Sequence, residues 1–243
     1  MKVFGAPGGV FALALAGLLL ANHAAADSTP VLSTATTTTQ AGLVDIRLLV
    51  PDIAEDIKYA GSDNFVGAPV DGYLAPKCFL VRPAAEALTR VEHELRPRHL
   101  RLQLFDCYRP ARAVKHFVRW ASDLSDQRTK TAHYPGLDKS KLLGDYIAPV
   151  SGHSRGATVD LTLLQCDAND SHCAPLDMGT GFDFFGPLAN TDSPQATPVQ
   201  HANRALLRDA MEHAGFRNYA MEWWHYTLTP APATDLIYDV PVQ

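Results

Sequence analysis

Ser151-Gly-His153-Ser154-Arg-Gly156-Ala157-Thr158-Val-Asp160-Leu-Thr-Leu-Leu164 is the stretch on which the reading of the fold turns. Thr158 to Leu164 is β-branched and alternating, the pattern of a strand with a buried face. The residues before it are polar and punctuated by glycine, so a loop delivers the chain into that strand. Working outward, Leu100 to Phe105 (LRLQLF) alternates in the same way. Pro83 to Leu95 carries Ala84, Ala87, Leu88, Val91 and Leu95 at helical spacing behind a proline start. Pro110 to Ala121 reads as a second helix, and Asn203 to Ala214 as a third, ended by Gly215. Phe216 to Leu228 is aromatic-rich and reads as extended. Helices and strands interleave without a regular βαβ rhythm and without internal repeats. The expected class is α+β: a single domain with a small antiparallel or mixed sheet and flanking helices.

The chain has 243 residues, 47% hydrophobic and 19% charged, enough for a substantial core in one domain. The formal net charge is -5 and the basic residues are scattered, so no nucleic-acid partner is expected. Lys2, the apolar run Val10 to Ala21 and Ala24-Ala25-Ala26 together read as a signal peptide over residues 1–26. The run is shorter than the roughly 20 residues a membrane span needs. An uncleaved anchor is the competing reading. The expectation is an exported, periplasmic or secreted protein with no stable membrane association after cleavage. Cleavage removes Lys2 and no acid, taking the formal charge from -5 to -6. Residues 27–42, rich in Ser and Thr, read as a flexible lead-in outside the core, and residues 43–243 as the globular domain. Cys78, Cys107, Cys166 and Cys173 make an even set, which in an exported chain implies two disulfides. Cys166 and Cys173 enclose a short polar loop and are the preferred pair, leaving Cys78 with Cys107. Three connectivities remain open.

The densest polar cluster is Ser151 to Asp160, and the second is Glu222-Trp-Trp-His225-Tyr226. Catalytic zinc sites commonly use three protein ligands and keep one position open. His153, Asp160 and His225 supply such a set, two imidazoles and a carboxylate, leaving a net positive charge that polarises a carbonyl. Glu222 and His225 are three residues apart, and in a flat strand they would face opposite sides. A bulge or turn at Trp223-Trp224 is therefore required to aim both at one site.

These clusters carry a resemblance. Ser151, His153, Gly156, Ala157 and Asp160 resemble the S-x-H-x-x-G-x-A-x-D motif of zinc D-Ala-D-Ala peptidases, with Ala157 one place early. Glu222-Trp-Trp-His-Tyr is similar to the dipeptidase branch of that family, the type associated with vancomycin resistance. Asp56-Ile-Lys-Tyr59-Ala, Asp63-Asn-Phe, Pro69-Val-Asp-Gly-Tyr73, Tyr108-Arg-Pro110 and Met178-Gly-Thr-Gly-Phe-Asp183-Phe extend it from Asp56 to Tyr226. The resemblance implies the α+β D-Ala-D-Ala metallopeptidase (hedgehog-like) fold, one zinc per chain, and a small D-amino-acid dipeptide as substrate. It implies His153, Asp160 and His225 as zinc ligands and Glu222 as the general base acting on the attacking water. It implies Arg109 as the cation that stabilises the oxyanion, Asp183 as the receptor of the substrate's amino group, and Ser151 and Tyr59 as further substrate contacts. Two features depart from the family: Cys107 stands where a small residue is expected, and a signal peptide would place the enzyme outside the cytoplasm.

Three rival readings compete. Gly152-His-Ser154-Arg-Gly156 also fits G-x-S-x-G, but that elbow needs a strand before the serine and a helix after it, and here a strand follows. A carboxypeptidase or endopeptidase acting on peptidoglycan stem peptides is the alternative within the family. A zinc-bearing module without turnover is the third, though a purely structural site needs neither Glu222 nor Arg109.

Overall fold

The structure is a computed structural model that describes residues 1, 2, 5, 30–230 and 235–243. The expected signal peptide lies outside the described residues apart from those isolated positions. Among the described residues no helix is long and apolar enough to cross a membrane.

In chain order the strands and helices are β1 (Val31–Leu32), β2 (Leu43–Asp45), β3 (Ala54–Glu55), β4 (Phe79–Val81), α1 (Arg82–Leu95), β5 (Leu100–Asp106), α2 (Ala111–Ser122) and α3 (Lys130–His133). They continue with β6 (Thr158–Cys166), β7 (Cys173–Pro175), α4 (Pro198–His213), β8 (Phe216–Tyr219), β9 (Glu222–Leu228) and β10 (Leu236–Ile237). The main sheet is mixed, with order β3-β5-β6-β9-β8 and β7 beside the far end of β6. Only β3 and β5 are parallel in it. The expected α+β architecture with a small mixed sheet is what the chain forms.

β6 organises the molecule. Its alternation sends Val159, Leu161 and Leu163 to one face, each fully buried, and Thr158, Asp160 and Thr162 to the other. α1 packs against β5 and α4, and α4 against β8 and β9, so helices cover one side of the sheet. The Asp160 face is left for the site. α1 starts and ends where apolar spacing and Pro83 place it. α4 starts at Pro198, five residues before the expected Asn203, because Thr197 and Gln200 form a capping box ahead of it. The lead-in is packed more closely than expected: β1 pairs with β10, and Ala41 is buried against the core.

Both disulfides form in the preferred pairing, Cys78–Cys107 and Cys166–Cys173. They close spans of 29 and 7 residues, so by loop entropy the first contributes more, roughly 3–4 kcal/mol against about 2. Replacing Cys78 and Cys107 by serine should therefore lower the thermal midpoint more than replacing Cys166 and Cys173. Calorimetry of the two double variants checks this, and an equal or reversed order would contradict it.

Candidate metal centre and active site

His153 sits in a single 3-10 turn, Gly152–Arg155, just before β6. The Ser151 side chain caps that turn by accepting a hydrogen bond from the His153 backbone N–H at 3.2 Å. Gly156 ends it at φ +75°, where a Cβ would come within 2.6 Å of Leu43 Cδ2, so only glycine fits both the backbone and the space. Asp160 and His225 are directly paired across β6 and β9. The turn, the strand and its neighbour thus bring the three expected metal-binding side chains together, with their ligand atoms all within 4.8 Å of one another.

The separations test whether a metal fits. His153 Nε2 is 3.2 Å from Asp160 Oδ2 and 3.3 Å from His225 Nδ1, and His225 Nδ1 is 3.1 Å from Asp160 Oδ1. Ligand atoms about 2.0–2.1 Å from a tetrahedral zinc stand roughly 3.3 Å apart. His153 Nδ1 lies 2.7 Å from the Cys107 carbonyl; as the donor there it leaves Nε2 with a lone pair facing the cluster. Asp160 Oδ1 is buried and receives no well-directed hydrogen bond, although His225 is near. Three converging acceptor atoms around a buried carboxylate call for a cation. The residues present therefore fit a zinc ion.

Burial alone would raise Asp160, but the imidazoles of His153 and His225 outweigh it and hold the carboxyl well below its ordinary value. Glu222 Oε2 lies 3.5 Å from His225 Nδ1 at the edge of the cluster. Burial pushes its carboxyl up to about 7; His225 and Arg109 pull against that shift and Asp160 adds to it. A carboxyl so poised suits proton transfer near neutral pH. The two residues reach one site because β9 bulges between them: Asn218 pairs with Tyr226, and the next residue, Tyr219, pairs with Glu222. The expected bulge is there, and it spans Trp223, Trp224 and His225.

Arg109 projects into the same cavity. Its guanidinium lies 5.1 Å from the Tyr59 ring centre and 5.0 Å from that of Phe117. Its Nε donates to Asp106 Oδ2 at 2.9 Å, and one terminal nitrogen is 3.5 Å from Asp160. Asp183 lines the same cavity and sits at φ +57°, a conformation uncommon for a residue with a side chain. The Tyr59 hydroxyl lies 2.9 Å and 3.1 Å from its two carboxylate oxygens. Burial pushes the Asp183 carboxyl well above its ordinary value, and the charge of Asp160 adds to that. Tyr59, Arg109, Phe117, Asp160, Asp183 and Ser151 line a cavity of about 280 Å³, to which Gly144 to Ala148 and Val150 also contribute. Ser154 is buried and outside the cavity lining, which removes the serine-nucleophile reading.

Sequence reasoning missed Asp106, which is fully buried, accepts from Tyr73 as well as Arg109, and lies 3.4 Å from His153 Nδ1. Its place three residues before Arg109, at the end of an alternating strand, was the available signal. It also missed the lining segment from Gly144 to Ala148, where no periodicity gives a cue.

Comparison with known proteins adds a second line. A family model described as D-ala-D-ala dipeptidase (Peptidase_M15) matches residues 39–243. A D-alanyl-D-alanine dipeptidase of Streptomyces coelicolor is 42% identical over 195 residues, 80% of this chain and 95% of that protein. One from Enterococcus faecium is 35% identical over 203 residues, 83% of this chain and 98% of its own length. One from Escherichia coli K12 is 32% identical over 200 residues, 81% and 90% respectively.

Proposed function

Since this chain belongs to the D-Ala-D-Ala dipeptidase family of metallopeptidases, we propose that it is an exported zinc enzyme that hydrolyses D-alanyl-D-alanine and related D-containing dipeptides. The observation that carries this reading is the sharing of one small cavity by the His153–Asp160–His225 cluster and a second buried carboxylate, Asp183. A cavity of about 280 Å³ is at the low end for ligand sites. It suits two short residues better than a stem peptide, and Asp183 lines it with a buried carboxyl that a substrate ammonium group would hold in its charged form.

Zinc held by His153, Asp160 and His225 would supply Lewis-acid polarisation of the scissile carbonyl and of the attacking water. Glu222 takes a proton from that water as the C–O bond forms, and returns it to the leaving nitrogen as the C–N bond breaks. Arg109, held by Asp106 and flanked by two rings, meets the negative charge that develops on the carbonyl oxygen. Asp183 holds the substrate's amino end, with Tyr59 fixing its carboxylate. Ser151 Oγ accepts from the His153 backbone, which leaves its own O–H to donate to the substrate.

Export rests on Val10 to Ala21, Ala24-Ala25-Ala26 and the two disulfides. A mature chain beginning at Asp27, found by mass spectrometry in the periplasmic fraction, is the expected result; a full-length chain retained in membranes would contradict it. The central experiment is D-alanine release from D-alanyl-D-alanine by purified residues 27–243. Release should stop with chelator and return with zinc. Persistent release in chelator would reject the metal mechanism, and absence of release from the zinc-loaded protein would reject the substrate.

Asp183→Asn separates the dipeptidase from an enzyme acting on stem peptides. Loss of a charge-assisted contact of about 1.5–3 kcal/mol should lower kcat/KM for the dipeptide by roughly 10- to 100-fold. The variant should also lose discrimination against N-acetyl-D-alanyl-D-alanine. Unchanged discrimination would remove Asp183 from the amino-end role.

A further inference from the structure

Glu222 and His225 can share a site only because β9 departs from β8, and the departure has a visible fastening. β8 and β9 pair as Phe216 with Leu228, Arg217 with Thr227 and Asn218 with Tyr226. The next step on β8, Tyr219, meets Glu222, so Trp223, Trp224 and His225 have no partner on β8. His225 pairs on its other side with Asp160. Such a bulge leaves backbone carbonyls without a ladder partner. The carbonyls at the two ends of the bulged stretch, those of Glu222, which still pairs with Tyr219, and of His225, both accept hydrogen bonds from one group, the Asn218 side-chain Nδ2, at 3.0 Å and 3.1 Å. The Asn218 Oδ1 accepts in turn from the Thr191 hydroxyl at 2.5 Å. Thr191 is buried, and its backbone N–H donates to the Ala220 carbonyl at 3.0 Å. The orientation of the carboxamide follows from these contacts. Flipping it would set its oxygen against two carbonyl oxygens.

We propose that Asn218, oriented by Thr191, is a positioning residue for the reaction. It ties together the backbone of the base and the backbone of a metal-binding histidine, and so fixes their separation and direction across the bulge. Its side chain is outside the cavity lining and contacts the site residues only through their backbone. Its two partners are the carbonyls of Glu222 and His225 themselves, not those of the intervening tryptophans, so a shift there moves both functional side chains at once. Placement errors of about 1 Å cost on the order of 100-fold in rate. Loss of a group that orients a metal ligand costs roughly 10- to 100-fold in metal affinity. The assignment of a catalytic role rests on the dipeptidase reading, but the effect on metal affinity does not.

The test uses the full mature chain with Asn218→Asp, Asn218→Leu, Thr191→Val and Thr191→Ser. Asn218→Asp keeps the shape and replaces the donor by an oxygen facing two carbonyls. Three quantities are measured at 25 °C: the zinc dissociation constant by chelator competition, kcat and KM for D-alanyl-D-alanine, and thermal unfolding of the metal-stripped protein. Asn218→Asp and Asn218→Leu should weaken zinc binding by about tenfold and lower kcat by roughly 10- to 100-fold, with KM within about twofold. Thr191→Val should show the same pattern more weakly, and Thr191→Ser, which keeps the hydroxyl, should behave as wild type. If the variants unfold at lower temperature but keep zinc affinity and kcat, Asn218 is structural only and the proposal fails. If the wild type binds zinc without hydrolysing the dipeptide, the dipeptidase reading fails, and zinc affinity alone decides the role of Asn218. Should the Asn218 variants not fold, the contrast between Thr191→Val and Thr191→Ser decides: weaker zinc binding and lower kcat in the first alone support the positioning role, and equal values in both overturn it.

Discussion

Glu222→Gln should retain one zinc per chain and lower kcat for D-alanyl-D-alanine by roughly 10²- to 10⁴-fold. The substitution keeps the size of the side chain and removes its capacity to take a proton. Zinc content should not change, because the cluster is complete without it: His153, Asp160 and His225 lie within 4.8 Å of one another. A pH profile sharpens the test. In the metal-free site burial lifts Glu222 to about 7, against the pull of His225 and Arg109. A bound zinc adds positive charge and draws the value down. The base works deprotonated, so kcat/KM should rise with pH through an acid limb centred below about 7. The limb should vanish in Glu222→Gln. Metal content measured with kinetics from pH 4 to 9 (on the order of half-unit steps, to resolve a single ionisation) checks both parts. A variant that loses zinc along with turnover, or keeps the acid limb, would show that another group is the base.

How much of this was legible depended on whether a feature repeats along the chain or arises between distant segments. β5 and β6 alternate, and α1 and α2 carry apolar residues at helical spacing behind prolines, so periodicity alone located them. α4 began early because its start is set by the reciprocal Thr197–Gln200 cap and not by its apolar face. The three candidate metal-binding residues were readable as residue types in two dense clusters. Their geometry needed the pairing of Asp160 with His225, which is a matter of register. The bulge in β9 was required by chemistry, since residues three apart cannot otherwise share a face. Its length of three residues was not readable, because it depends on how β8 pairs and on a side chain, Asn218, with no marker of its own. Asp106 escaped notice for a similar reason. The extra residue Phe105 breaks the β5–β6 register just before it and delivers it beneath Arg109 and His153. The lining segment Gly144 to Ala148 and Val150 has neither alternation nor helical spacing, so only the folded chain brings it to the cavity.

Arg109→Ala should have the second large effect, and its interpretation turns on Asp106. Arg109 donates to a carboxylate that is fully buried. Burial already raises the Asp106 carboxyl, and Arg109 and His153 are what restrain it. Removing the guanidinium breaks a buried pair and should cost about 3–5 kcal/mol of stability. On the proposed mechanism it also removes the guanidinium that meets the developing oxyanion, which should cost roughly 10²- to 10³-fold in kcat. A loss of activity alone would therefore not separate the two. The double variant Arg109→Ala/Asp106→Asn does, because it removes the uncompensated charge while Tyr73 can still hydrogen-bond to the amide. Stability should largely return and kcat should not. Arg109→Lys should fall between, since an ammonium keeps the charge but not the planar fork that reaches Asp106 while lying beside the Tyr59 and Phe117 rings. Thermal unfolding of the zinc-loaded proteins beside kcat and KM reads each term. If the double variant recovered turnover together with stability, Arg109 would be a counterion for Asp106, and the oxyanion would need another donor.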